Sequence, residues 1–293
     1  MPVDYADWQP TCDTLHAHTQ VLGKLSAALA PPEPQLQHAA LRLTARGWET
    51  LPLPAPDGSG AFGVALDLHR HEAVVEHVDG RTRTAPLPDR SVREVTRDVL
   101  AAVRELAGPV ELSLKPQETP WSTPLDEDTE HATYNPTEVE EYFVSASRAA
   151  QVLAALRAPY RGRSTPVNAW WGTFDLAVAL FSGRATDPPS QDFIWRNAGD
   201  AQQIEVGWWP GDARYPKAAY YGFAFPAENT FSGRPVAPGS WNTELGEFIL
   251  DSEGTTFEDA LAFVRSVAQH GCIVCAWDPA LAASLEGKPP PVT

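Results

Sequence analysis

The hydrophobic period of this chain changes twice within its first hundred residues, and that change limits the fold more than any single motif. Over about residues 13–30, Leu15, Val21, Leu22, Leu25 and Leu29 recur at helical spacing, and Pro31-Pro32 ends the pattern. From there the period is two: Leu41/Leu43, Leu51/Leu53 and Phe62/Val64/Leu66/Leu68 alternate with smaller or polar residues. Alternation of that kind predicts strands with one face buried. Asp57-Gly58 and Asp79-Gly80 mark turns between them. Asp79-Gly80 reads as a type I′ hairpin turn, whose two central residues need positive φ. Ser91 and Glu94 then form the spacing of a capping box and open a helix to about Leu106. Val110–Leu114 reads as one more strand.

The second half repeats this order. Asn135-Pro136-Thr137-Glu138 starts a helix with an Asn cap, Pro at its first position and Glu at its third. That helix runs to about Leu156. Strand-like aromatic runs follow over 167–181, 203–209, 219–225 and 246–250. Thr255-Thr-Phe-Glu258 caps another helix to about Gln269, Cys272–Trp277 reads as a terminal strand, and Asp278-Pro279 opens a short last helix. The tail 287–293 is expected to fray. Together these patterns predict an α+β fold of two similar helix/antiparallel-sheet halves. They are an N-terminal half over 1–115, an ordered connection over 116–135 and a C-terminal half over 136–293. Gln20-Val-Leu-Gly-Lys-Leu25 echoes Gln151-Val-Leu-Ala-Ala-Leu156, and an internal duplication is the economical explanation.

Charge and cysteine usage narrow the function classes. A formal net charge of −16 repels phosphate backbones and anionic lipid, so neither nucleic acid nor a membrane surface is the expected partner. The start MPVDYADWQP lacks the basic and apolar pattern of a signal peptide, and no run approaches the roughly 18 apolar residues of a membrane span. Three cysteines, Cys12, Cys272 and Cys275, are too few for a disulfide framework and fit a reducing compartment. The expected location is the cytoplasm. No nucleophile elbow, phosphate loop or dinucleotide fingerprint occurs, and no cofactor is implied.

The chemistry-bearing residues cluster in few places. His16, Gln20 and Lys24 stand at i, i+4 and i+8, in one line along the first helix. They predict a site in which His16 exchanges a proton, Gln20 orients a ligand and Lys24 holds an anionic group. In the loop Asp126-Glu127-Asp128-Thr129-Glu130-His131, His131 and one carboxylate can form an acid–base pair. Asp126, Asp128 and His131 are also spaced as metal donors, but the loop matches no strong metal signature, and no tightly bound metal is expected. Trp170-Trp171 on a strand send one ring into the core and one to a second layer or ligand. Asp175, inside an apolar run, calls for a partner such as Arg184.

The segments Thr14–Lys24, Leu125–Pro136, the run PVNAWWGTFDLAVALFSGR ending at Arg184, GWWPG and AYYGFAFP resemble an uncharacterised bacterial family, the domain of unknown function 5996. The likeness extends from Trp8 to about Trp277 and carries no known activity. In that family the position of Asn168 is often His, so a second imidazole is absent here. The combined expectation is a cytoplasmic enzyme of small-molecule metabolism working by metal-free acid–base chemistry. His16, Lys24 and His131 are its catalytic candidates. Gln20, His38, Asn168, Trp171, Asp175 and Arg184 are its substrate contacts. The rival expectation is a non-catalytic ligand-binding or interaction module using the same pocket.

Overall fold

A computed structural model of the chain describes residues 4–227, 230–233 and 236–287. They divide into two compact units, one of residues 4–147 with Ala169–Asp175, the other of Arg148–Asn168 with the described residues from Leu176 to 287. The 116–135 segment lies wholly within the first unit, and the tail beyond Gly287 falls outside the described residues.

The first unit opens with α1 (Tyr5–Leu29). This helix starts eight residues before the expected point and runs through Pro10. Burial explains the extension: Trp8 is only 4% exposed and stacks on Tyr142 with ring centroids 5.6 Å apart, which holds the turns ahead of the proline. From Thr11 to Ser26 nearly every residue of α1 is buried, so the helix is a core element and its polar line cannot face bulk water.

Six strands follow: β1 (Arg42–Leu43), β2 (Gly47–Glu49), β3 (Leu53–Pro54), β4 (Ala61–Asp67), β5 (Glu72–His77) and β6 (Thr82–Pro86). They form an antiparallel meander in the order β1-β2-β4-β5-β6, with β3 also on β4. The β5–β6 hairpin forms where expected, with a different turn. His77 N–H donates to Arg81 O at 2.9 Å, and of the enclosed residues only Gly80 has positive φ, at +91°. A three-residue loop that ends in a left-handed glycine replaces type I′. Next, α2 (Val92–Ala107) carries the capping box, with Ser91 and Glu94 capping each other reciprocally, and it packs on β5 and β6. Val110–Leu114 joins no sheet, which corrects the strand expected there: its side chains are only half-buried or exposed, so no buried face fixes a register. The 116–135 connection is anchored by Leu125 and Asp128, 0% and 2% exposed.

Across the division run α3 (Pro136–Arg157) and β7 (Asn168–Trp170). Asn135 caps α3 by accepting Thr137 N–H at 3.1 Å. The second unit holds β8 (Asp175–Ala185) from Leu176 on, α4 (Phe193–Ala198), β9 (Ala201–Trp209), β10 (Ala219–Phe225), β11 (Ser240–Asn242), β12 (Glu247–Asp251), α5 (Phe257–Val274) and α6 (Pro279–Ser284). Its antiparallel sheet runs β11-β12-β10-β9-β8. Gly222 of β10 lies against Val267 of α5, and Gly271 of α5 lies against Ile204 of β9; a Cβ at either glycine would clash at 2.6 Å. That close helix-to-sheet approach carries α5 well past Gln269 and overturns the expected Cys272–Trp277 strand. Cys272 is a buried helical residue whose thiol burial pushes up to about 12, and Cys275 caps the helix. The fold is α+β, each unit an antiparallel sheet followed by a helix; in the second sheet β12 returns beside β10 and leaves β11 on the edge. No described helix is long and apolar enough to cross a membrane.

Burial on α1 makes stability depend on pH. Burial lowers His16 from 6.5 to about 4 and His18 from 6.5 to about 3; His18 is 1% exposed, and neither of its ring nitrogens has a hydrogen-bond partner among the described residues. The unfolded chain therefore binds more protons than the native one below pH 6.5. This stability is fully present above the unfolded value and drains as pH falls towards the native values. Urea midpoints should already decline between pH 6.5 and 5, above the main carboxylate range, and His18→Leu should flatten that decline. A midpoint independent of pH in this window would refute the assignment.

Candidate active site

The polar line of α1 turns inward onto one short piece of backbone, the turn at 171–174 that follows β7. Gln20 is 0% exposed. Its Nε2 donates to the carbonyls of Trp171 (2.9 Å) and Gln117 (3.0 Å), and its Oε1 accepts Gln117 N–H (3.1 Å). Both amide hydrogens are thus used inside the protein, and Gln20 clamps two loops to the helix. His16 Nε2 lies 2.9 Å from Trp171 O and 3.1 Å from Gly172 O. Carbonyls only accept, so Nε2 carries the hydrogen and the neutral ring keeps its lone pair on Nδ1. Nearby His131 adds to the burial that keeps His16 uncharged.

Trp171 is fixed from three sides. Its indole N–H donates to Ala39 O at 3.0 Å, its carbonyl receives Gln20 and His16, and its ring lies flat on Gly23. A Cβ at Gly23 would stand 2.0 Å from the indole, so only glycine permits this contact. Lys24, the next residue, is 6% exposed with Nζ 5.5 Å from the Trp171 ring centre. Burial lowers its ammonium from 10.5 to about 8.

The second cluster comes from the 126–131 loop, pinned on the start of α2. Val92 N–H donates to His131 O (2.9 Å) and Arg93 N–H to Asp128 O (2.8 Å), which satisfies two donors that a helix N-terminus leaves open. Asp128 is 2% exposed. One carboxylate oxygen accepts the backbone N–H groups of Glu130 and His131 at 3.0 and 3.1 Å, and the other lies 2.6 Å from His131 Nδ1. Nδ1–H is therefore spent on Asp128, and His131 offers Nε2 as its free acid–base atom. Trp121 links the clusters, its ring 4.7 Å from that of His131 and 5.1 Å from that of His16.

His16, Gln20, Lys24, His131 and Trp171 thus gather around one helix within the first unit. The other expected contacts do not join them there. His38 closes a 3₁₀ turn by accepting Glu33 N–H at its Nδ1 (3.0 Å). Asn168 is buried in the second unit, and Arg184 is exposed near the far end of β8. The proposed Asp175–Arg184 pair is corrected: both lie on β8, where nine residues at about 3.3 Å each hold them roughly 30 Å apart, and Asp175 instead accepts the Thr173 hydroxyl. Asp126 and Asp128 do not converge with His131 as ligands; among the described residues no group of three or more His, Cys, Asp or Glu is placed to hold a metal ion.

Sequence reasoning missed Phe174. It stacks on His16 (4.9 Å), Trp48 (5.3 Å) and Tyr142 (5.2 Å) with φ +58°, a strained value for an aromatic residue. It also missed the buried His18. Neither position carries a local signal, since an aromatic in an apolar run and a histidine inside a helix read as core.

Residues 1–284 match the family of unknown function DUF5996, and the chain belongs to that family. No curated protein and no solved structure matches it.

The Gly23–indole contact gives a direct test of the site's frame. Gly23→Ala should destabilise the protein by about 2 kcal/mol or more, the range for overpacking a tight core, and shift Trp171 fluorescence, both read in a urea titration. Wild-type stability with an unchanged spectrum would contradict the packing.

Proposed function

We propose that the protein is an enzyme acting on a small molecule by acid–base chemistry, with His131 as the group that exchanges the proton. One observation carries this reading: the 2.6 Å contact between His131 Nδ1 and the buried Asp128 carboxylate, which orients the ring and leaves Nε2 to act. A histidine held in this way can take a proton from a carbon or oxygen and return it elsewhere. His16, neutral and with Nδ1 in no hydrogen bond to the described residues, supplies a second imidazole across the Trp121 ring. Proton transfer between these side chains needs no metal. The stepwise placement of the stripe, the loop and the indole supports a built site over an accidental cluster.

A non-catalytic ligand-binding or interaction module is the second reading, favoured by the full use of the Gln20 amide and of His16 Nε2 within the protein. We place the protein in the cytoplasm, on its cysteine usage and charge. The shared order of helix, antiparallel sheet and helix supports an internal duplication, while the different strand order of the two sheets weighs against it.

The chemistry can be tested without knowing the substrate. Purified protein is incubated with a pooled metabolite extract in deuterated water, and depletion or deuterium uptake is read by mass spectrometry. The wild type should alter at least one metabolite, His131→Ala should lower that rate by about 10²–10⁴-fold, and Asp128→Asn should reduce it too through loss of ring orientation. Identical profiles for wild type and His131→Ala would overturn the enzymatic reading in favour of the binding module.

A further inference from the structure

We propose that Lys24 is the anion-binding end of this site, taking an oxyanion group, carboxylate or phosphate, of a small organic ligand that lies along the Trp171 indole. The inference rests on the reading of the α1 face as a functional site, and it names the class of molecule that the site accepts.

The missing counter-charge is what points to a ligand. Lys24 is 94% removed from solvent, by its 6% exposure. Among the described residues no carboxylate lies within ion-pair distance of its Nζ and no acceptor hydrogen-bonds it; its one defined neighbour is the indole face at 5.5 Å. Transfer of an ammonium out of water is costly unless an opposite charge or strong acceptors replace the lost hydration. Acidic residues are not scarce, since the chain has 38 Asp and Glu against 22 Lys and Arg, yet among the described residues none is directed here. Several other cations of the first unit do have carboxylate partners: Arg46 with Glu49 and Glu76, Arg83 with Glu105, Arg90 with Asp98.

The surroundings are shaped as well as charged. Gly23 keeps the indole flat beside Lys24, and Gln20 and His16 hold the Trp171 carbonyl, so the aromatic wall is fixed in orientation. Eight residues separate His16 from Lys24, about 12 Å along the helix axis. A ligand whose oxyanion sits at Nζ can therefore extend along the wall towards the imidazoles. A bound oxyanion would also return the ammonium towards its ordinary range from the lowered value of about 8.

The test reads binding alone, so it separates this inference from the catalytic one. At constant ionic strength the full chain is titrated with inorganic phosphate, acetate and benzoate, followed by thermal shift and calorimetry. Saturable binding of at least one of them is expected in the wild type. Lys24→Arg should retain it, and Lys24→Met should weaken it about tenfold or more, the scale of one charge-assisted hydrogen bond. Lys24→Met should also melt at a higher temperature without ligand, because a near-isosteric apolar side chain replaces a buried unpaired charge. No saturable binding of any of the three, or equal binding by Lys24→Met, overturns the proposal. If binding fails while His131-dependent turnover persists, the anion assignment alone falls. If binding holds while His131→Ala matches the wild type, the catalytic reading alone falls.

Discussion

The first unit is organised by a single contact, the Trp171 residue laid on Gly23 of α1. The ring fits only because position 23 has no side chain beyond hydrogen, and the carbonyl of the same residue takes the hydrogen bonds of Gln20 and His16. Two of the three polar side chains of that line, His16 and Gln20, are thereby satisfied by backbone acceptors. Through Gln20 the same contact holds Gln117, the start of the irregular segment that brings Trp121 and His131 to the helix. The loop has almost no secondary structure of its own. Its order comes from this clamp at one end and from the N-terminal donors of α2 at the other.

This arrangement divides three apparently similar polar side chains by their surroundings. Gln20 is consumed as a structural clamp. His16 is held neutral by burial, against the opposing pull of the two carbonyl hydrogen bonds, which fix its tautomer. Lys24 keeps a desolvated charge with nothing opposite it among the described residues. Asp128 gives His131 the complementary treatment, a buried carboxylate that takes the Nδ1 hydrogen and leaves the lone pair on Nε2. Differences of this kind between neighbouring titratable groups are what acid–base sites require, although structural networks also produce them.

Much of the architecture was legible because it depends on local rules. The Ser91/Glu94 capping box, the Asn135 and Asp278 caps and the period-two strands β4, β5 and β10 all follow from short-range chemistry. So does the line His16–Gln20–Lys24, which needs only helical spacing. What could not be read depends on partners distant in sequence. Whether α5 ends at Gln269 or continues through Cys272 is decided by Gly271 fitting against Ile204. Val110–Leu114 has strand-like alternation but no edge to join. Asp175 in its apolar run calls for a partner such as Arg184, but an extended strand separates its ends by its full length. Phe174 and His18 owe their roles wholly to the aromatic and charged groups that the fold brings around them.

The central claim is that the fold assigns opposite tautomers to the two site histidines. Long-range ¹H–¹⁵N correlation spectra of histidine-labelled protein test it most directly. The account predicts His16 protonated on Nε2 and still neutral at pH 5, with neutral His131 protonated on Nδ1. Titration of His16 near 6.5, or an Nε2-protonated neutral His131, would contradict it.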